Sequence, residues 1–237
     1  MTSLIHRLDR FLYPDYSHNW DDLLFRARIS SYLKPAMTIL DLGAGAGIVE
    51  FMNFKGMVDR VCGVDLDQRV ETNPMLDEGR VADAGGIPYP DQMFDLVFAD
   101  NVVEHLVDPA GVFQEVHRVL KPNGVFLFKT PNKTHYVPTI AQLTPHRFHQ
   151  FVNRIRGRSG EDTFPTLYRA NTASAVIRLC KETGFTAMAV SRIEGRPEYL
   201  RIAWPTYLLG TAYERLVNAS EVLAAFRVLL IAELRKQ

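Results

Sequence analysis

The middle of the chain alternates short apolar runs with segments in which apolar residues recur at helical spacing. Each short run is bounded by charged or glycine residues, which is typical of a buried strand. Between two of these runs, Val112, Phe113 and Val116 share one face of a predicted helix over 109–120. The alternation predicts an α/β fold with a mostly parallel sheet and helices on both faces. Strands are predicted at about 37–42, 60–65, 94–98, 124–128 and 185–192, with a short one ending at Asp83.

The two ends of the chain and one internal segment depart from this alternation. The N-terminal residues predict a short amphipathic helix that ends near Pro14, and a second helix from Trp20 to Leu33. A helix is expected to start near Gly47, and another runs from a cap at Asn171 or Thr172 to Gly184. A further strand at 198–203 is left open, and helix is expected from Pro205 to the C-terminus.

The predicted organisation is one α/β domain over 1–204 followed by a helical extension over 205–237. Residues 131–170 are rich in histidine, arginine, proline and aromatic residues, and we interpret them as an inserted lid or substrate segment. A chain of 237 residues is long enough for one such domain with appendages.

Composition restricts the class of partner. The 27 basic residues balance the 27 acidic ones, so no overall field attracts nucleic acid. Cys62 and Cys180 lie far apart and are expected to be reduced and buried. The sequence has neither the pattern of a secretory signal nor an apolar run of about 18 residues, so we expect a cytoplasmic protein.

The first predicted strand runs into a glycine motif, TILDLGAGAGI, at residues 38–48. Glycine after this strand permits a tight turn and the close approach of a ligand. Gly43, Gly45 and Gly47 have the spacing G-x-G-x-G, whereas a dinucleotide fingerprint would have a third glycine at Ile48. The carboxylate of Asp41 would repel a diphosphate but would suit a cationic ligand.

The stretch D-L-G-A-G-A-G resembles the first motif of class I S-adenosylmethionine-dependent methyltransferases. V-C-G-V-D-L-D, V-A-D-A, the strand-four segment from Phe94 to Leu106 and L-K-P-N-G-V-F-L-F resemble later motifs, in the family's order. The pattern is similar to small-molecule methyltransferases, including those of quinone biosynthesis, and Phe164–Thr172 resembles polysaccharide-associated members. The resemblance implies a Rossmann-like, doubly wound, seven-stranded sheet, S-adenosylmethionine as cofactor, and methyl transfer to a small molecule, sugar or lipid-linked acceptor.

The resemblance also implies which residues would contact the cofactor. Asp65, with Asp67 as the alternative, would accept the ribose hydroxyls, and Asp83 would accept from the adenine amine. Asn101 would face the methionine part. The full expected set is Asp41, Gly43, Ala44, Gly45, Gly47, Asp65, Leu66, Asp83, Ala84 and Asn101.

Candidate acceptor residues are mainly histidines, whose pKa suits removal of a hydroxyl proton. We expect His105 or His135 to act as a base, although either could instead support a loop. His146, Arg147 and His149 are expected to bind the acceptor, and no metal is expected because acidic or cysteine partners at ligand spacing are missing. Oxygen is the expected acceptor atom. The chain has no Asn-Pro-Pro-Tyr or Asp-Pro-Pro-Tyr motif of the methyltransferases that act on amino groups of bases and glutamine.

Two other functions remain open from the sequence alone. A nicotinamide-dependent oxidoreductase would also use a glycine turn, and a non-catalytic adaptor could act through the apolar C-terminal tail. That tail could pack on its own domain, form a homodimer or contact a membrane surface, together with the basic amphipathic N-terminus.

Overall fold

The computed structural model describes residues 2–17, 19–143 and 165–237, and the chain divides into two compact units. The sheet unit comprises Asp21–Pro131, Thr166–Ser191 and Leu230–Gln237. The helical unit comprises the described parts of Met1–Trp20, Asn132–Pro165 and Arg192–Leu229.

The described residues form seven strands and six α-helices, joined by loops and short 3₁₀ turns. The strands are β1 (Thr38–Leu42), β2 (Arg60–Asp65), β3 (Glu78–Val81), β4 (Phe94–Asp100), β5 (Leu120–Pro131), β6 (Phe185–Ile193) and β7 (Leu229–Lys236). The helices are α1 (Thr2–Leu12), α2 (Trp20–Ser30), α3 (Pro109–Val119), α4 (Tyr136–Leu143), α5 (Ala173–Thr183) and α6 (Trp204–Asn218).

The strands lie in the order β3-β2-β1-β4-β5-β7-β6. The pairs β1–β2, β1–β4, β2–β3 and β4–β5 are parallel, so the carboxyl ends of these five strands lie at one edge of the sheet. The strand order reverses between β1 and β4, which is where ligands bind in open α/β sheets. The predicted α/β, doubly wound, mostly parallel fold is confirmed.

Burial of apolar side chains stabilises this sheet on both faces. Phe113 of α3 is fully buried and makes edge-to-face contacts with Phe126, Phe128 and Phe185 of the strands. Thr172 caps α5 by accepting the N–H of Ala175, and Gly184 ends that helix with a φ of 81°. Both predicted helix signals of α5 are therefore confirmed.

Two predicted elements are wrong, and a strand that the sequence left open does not form. Instead of an α-helix after Gly47, the chain forms a 3₁₀ turn at Glu50–Met52, and the carbonyls of Phe51 and Asn53 accept hydrogen bonds from Arg26. Instead of a strand at 198–203, it forms a 3₁₀ turn at Glu198–Leu200 behind Pro197. The second wrong element is the C-terminus.

The C-terminal residues are not helical to the end. Helix α6 stops at Asn218, and Leu229–Lys236 forms strand β7 between β5 and β6. Four consecutive apolar residues, Leu229 to Ala232, are buried, which is typical of a strand covered on both faces. Glu233 interrupts this run but is itself buried, where it accepts hydrogen bonds from Arg28 (2.9 Å) and Tyr32 (2.6 Å).

Replacing Ile231 tests this position of β7. Its side chain is fully buried, so Ile231→Ala should lower the free energy of unfolding by about 2–5 kcal/mol. Val222 is 85% exposed, so Val222→Ala should change it by less than about 0.5 kcal/mol. Denaturant unfolding of both variants measures the difference, and equal, small effects would contradict a buried strand.

Candidate functional site

The turn after β1 is the centre of the candidate site. Gly43, Gly45 and Gly47 all have positive φ, at 84°, 48° and 72°, a conformation that other residues rarely adopt. A Cβ at Gly43 would lie 2.2 Å from a methyl group of Val102, and one at Gly47 would lie 2.3 Å from Oδ1 of Asn73. A Cβ at Gly45 would meet nothing closer than Asp65 Oδ2 at 3.8 Å, so this glycine lies beside open space.

Two side chains hold this turn in place. Asn73 Nδ2 donates to the carbonyl oxygens of Ala44 (3.0 Å) and Gly45 (3.2 Å). Asp65, at the end of β2, accepts the N–H of Gly45 at Oδ2 and the N–H of Asp67 at Oδ1, both at 2.8 Å. Each carboxylate oxygen can accept two hydrogen bonds, so Asp65 keeps acceptor capacity for a ligand.

The site is strongly acidic. The Asp41 carboxyl is buried at the end of β1, and burial together with the charges of Asp100 and Asp65 raises its pKa well above the usual range. Burial also raises the pKa of Asp100, at the end of β4, to about 6, although Lys129 opposes this shift. Three carboxyl groups from neighbouring strands thus converge beyond β1, β2 and β4, and they favour a cationic ligand.

Lys129 is the buried counter-charge of this region. Its side chain is fully buried on β5, and its ammonium contacts Asp100 (3.0 Å), Asp21 (3.1 Å) and Asp22. Burial disfavours the ammonium form, but the three carboxylates outweigh it and raise the pKa of Lys129. Lys129, Asp100, Asp22 and Asn73 carry no local signal in the sequence for these contacts, because only the tertiary fold brings them to the site.

The remaining expected cofactor residues lie at the same edge of the sheet. Asp83 is exposed in the loop after β3, where its Oδ1 accepts the N–H of Gly85 at 2.7 Å. Leu66 is exposed beyond β2, and Ala84 is half-buried beside Asp83. Asn101 has a φ of 54°, and its Nδ2 donates to Asp100 Oδ1 at 2.8 Å.

His105 lies in the loop after β4, and a buried network holds that loop. Glu104 Oε2 accepts the Thr130 hydroxyl at 2.8 Å, and Asn171 donates to the same hydroxyl oxygen at 2.6 Å. The Glu104 carbonyl also accepts the N–H groups of Leu167 and Tyr168. His105 is half-buried at this anchored position, on the same unit as the glycine turn.

His135 has a different environment. Its side chain is 1% exposed in the helical unit, 3.6 Å from Glu194 Oε2, and burial lowers its pKa to about 4. This burial leaves little of the His135 side chain accessible, and its catalytic role stays a prediction. The other expected acceptor residues, His146, Arg147 and His149, lie outside the described residues.

The described residues contain no group of three or more histidine, cysteine or acidic side chains arranged to hold a metal ion. None of the described helices is both long and apolar enough to cross a membrane.

Comparison with known proteins identifies the fold and its motifs. Residues 40–128 match the family model described as a methyltransferase domain. A probable S-adenosylmethionine-dependent methyltransferase of Mycolicibacterium smegmatis is 35% identical over 107 residues, 42% of this chain and 40% of that protein. Residues 40–128 of the chain are thus similar to S-adenosylmethionine-dependent methyltransferases. The resemblance drawn from the glycine motif is therefore confirmed.

The relatives that match this segment are longer than the chain's matching part. Phosphoethanolamine N-methyltransferase 1 of Zea mays is 32% identical over 113 residues, 43% of this chain and 23% of that protein. The chain thus spans less than half the length of these curated relatives. Phosphoethanolamine N-methyltransferase 2 of Haemonchus contortus, solved with phosphomonomethylethanolamine and S-adenosylhomocysteine, shares the fold. Its TM-score is 0.57 at 17% identity, over 92% of this chain and 52% of that one.

Removing the charge of Lys129 tests the acidic cluster. Lys129→Met leaves the carboxylates of Asp21, Asp22 and Asp100 without their buried counter-charge. It should therefore destabilise the fold by about 3–5 kcal/mol at neutral pH. The matched control is Lys121→Met, because Lys121 pairs with Asp95 at 2.8 Å but is 41% exposed, and its loss should cost less than about 1 kcal/mol. Similar midpoints of urea unfolding for the two variants would contradict this role of Lys129.

Proposed function

We propose that this protein is an enzyme that transfers a methyl group from S-adenosylmethionine to a small-molecule, sugar or lipid-linked acceptor, with oxygen as the acceptor atom. One observation carries the proposal: an open glycine turn lies against three converging carboxyl groups, Asp41, Asp65 and Asp100. The sulfonium and ammonium groups of the cofactor are cationic and match this charge.

The proposed cofactor contacts follow the order of the strands. Asp65 accepts the ribose hydroxyls with the acceptor capacity that its two backbone hydrogen bonds leave. Leu66, Asp83 and Ala84, beyond β2 and β3, contact the adenine. Asp41, the glycine turn and Asn101, beyond β1 and β4, contact the methionine part.

The same features disfavour a dinucleotide. A diphosphate needs the N-terminus of an α-helix after the glycine turn, whereas the described segment after Gly47 forms only a 3₁₀ turn at Glu50–Met52. A diphosphate would also bring further negative charge to an edge where the charges of Asp100 and Asp65 already raise the pKa of Asp41. An oxidoreductase that uses a nicotinamide cofactor is therefore the weaker candidate.

The cofactor supplies an activated methyl group, so the chain's own task is to orient the acceptor and to accept its proton. We assign proton acceptance to His105, because its loop is anchored through Glu104 to Thr130 and Asn171 on the unit that carries the cofactor turn. His146, Arg147 and His149 are proposed to bind the acceptor.

Calorimetry with S-adenosylhomocysteine tests the cofactor site. Asp65→Asn should weaken its affinity about tenfold or more, because a neutral amide replaces the acceptor of the ribose hydroxyls. Asp67→Asn is the control, since the Asp67 carboxylate pairs with Arg69 and should matter less than about threefold. NADH should give no heat. A wild-type protein that binds NADH, or that does not bind S-adenosylhomocysteine, would overturn the proposed function.

Radiolabel transfer tests the catalytic assignment. Incubation with methyl-labelled S-adenosylmethionine and separate lipid, sugar and soluble extracts should label one fraction. His105→Asn should reduce the rate by about a hundredfold or more without changing the affinity for S-adenosylhomocysteine. If rate and affinity are both unchanged in His105→Asn, another group accepts the proton. If no fraction is labelled while the cofactor binds, the non-catalytic adaptor becomes the better interpretation.

A further inference from the structure

Helices α1 and α6 of the helical unit have an unusual distribution of polar residues. Each helix contains one acidic residue, Asp9 in α1 and Glu214 in α6, and both acids are buried. In a helix at the surface of a protein in water, charged residues normally face the solvent and apolar residues face the core. Here the acidic residue faces inward in both helices.

Specific partners hold the two acids inside. Asp9 accepts hydrogen bonds from the Tyr207 hydroxyl and from Arg201, both at 2.6 Å, and contacts Arg196 at 3.3 Å. Glu214 accepts hydrogen bonds from the Tyr13 hydroxyl at 3.0 Å and from Asn218 at 2.8 Å. The Asp9–Tyr207 bond joins α1 directly to α6, so these contacts fix which side of each helix faces outward.

The outward sides of α1 and α6 carry large apolar residues and arginines. Phe11 is 82% exposed and Leu209 is 68% exposed. Arg7, Arg10 and Arg215 are also exposed, and the described exposed residues of the two helices include no acid. We call this surface the arginine-apolar face; its apolar members are Leu4, Phe11, Trp204, Leu208, Leu209 and Leu216.

We propose that the arginine-apolar face docks onto the surface of an anionic lipid bilayer. Leucine, phenylalanine and tryptophan would enter the boundary between headgroups and acyl chains, while the arginines contact the lipid phosphates. This combination of apolar and basic residues without acids is typical of helices that lie in that boundary. The inference goes beyond the proposed methyl transfer and does not depend on it.

The charge of the face argues against a second copy of the chain as its occupant. In a two-fold dimer the same surface patch meets itself, so the arginines of one copy would approach those of the other. Arg215 pairs with Glu214 of its own helix at 3.3 Å, but no exposed acid on the described parts of α1 and α6 faces Arg7 and Arg10, so the contact would bring the charges of these two arginines together. An anionic bilayer supplies the missing negative charge.

Vesicle flotation of the full chain tests the proposal. Vesicles of phosphatidylglycerol and phosphatidylcholine should carry the wild-type protein, and vesicles of phosphatidylcholine alone should carry much less. The double variant Phe11→Ser/Leu209→Ser should reduce binding about tenfold or more, because two exposed apolar side chains no longer enter the lipid. Arg7→Gln/Arg10→Gln should weaken binding and reduce its sensitivity to salt.

Val107→Ser is the matched control. Val107 is 69% exposed in the sheet unit, close to the 68% of Leu209, so its replacement should leave flotation unchanged. Thermal unfolding checks that each variant is folded. If the Phe11→Ser/Leu209→Ser variant does not fold, the Arg7→Gln/Arg10→Gln variant, which changes only exposed residues, still tests the proposal. Absence of wild-type flotation would overturn the proposal, as would equal flotation of all variants. If light scattering shows a dimer that Leu209→Ser dissociates, and the wild-type protein does not bind vesicles, the face contacts a second copy of the chain instead.

Discussion

The buried ammonium group of Lys129 determines how much negative charge the carboxyl edge of the sheet can carry. It lies among Asp21, Asp22 and Asp100, so one positive charge faces three carboxyl groups. Carboxyl groups remain in excess, and Asp41 and Asp65 on the neighbouring strands add to their number. Burial makes this excess costly, which is why the pKa values of Asp41 and Asp100 are raised. A bound cation would relieve part of that cost, and the site is therefore electrostatically prepared for a positively charged ligand.

The glycine turn achieves its shape by side-chain hydrogen bonds rather than by leading into an α-helix. The Asp65 carboxylate accepts the N–H of Gly45, and the Asn73 amide donates to the carbonyls of Ala44 and Gly45. Downstream, Arg26 of α2 donates to the carbonyls of Phe51 and Asn53, which replaces hydrogen bonds that a helix would have formed internally. The turn thus presents glycine backbone to a ligand without the positive helix dipole that phosphate groups require.

Local patterns in the sequence predicted β1, β2, β4, α3, α5 and the glycine turn, because strand runs, caps and glycines act over a few residues. They failed where the outcome depends on distant partners. In the sequence, Lys129 looks like an ordinary polar residue at the end of a strand. Its counter-charges Asp21 and Asp22 lie on α2, more than a hundred positions earlier in the chain. The apolar run Leu229–Ala232 fits a helix or a strand equally well from sequence. Only its pairing position between β5 and β6 makes it a strand. Asn73 carries no local signal for its role at the turn.

The orientation of α1 raises an energetic question that the helical unit alone does not answer. Leaving an aromatic or leucine side chain exposed forgoes about 1.5–3 kcal/mol compared with burying it, and this applies to Phe11 and Leu209. The compensating contacts are the ion pairs of Asp9 with Arg196 and Arg201, yet buried ion pairs at best roughly balance the cost of removing them from water. These ion pairs alone therefore do not compensate for the exposure of Phe11 and Leu209 in water. The observed arrangement becomes favourable once a second apolar phase is available to accept the outward residues, which is the physical reason to seek a bilayer on that side.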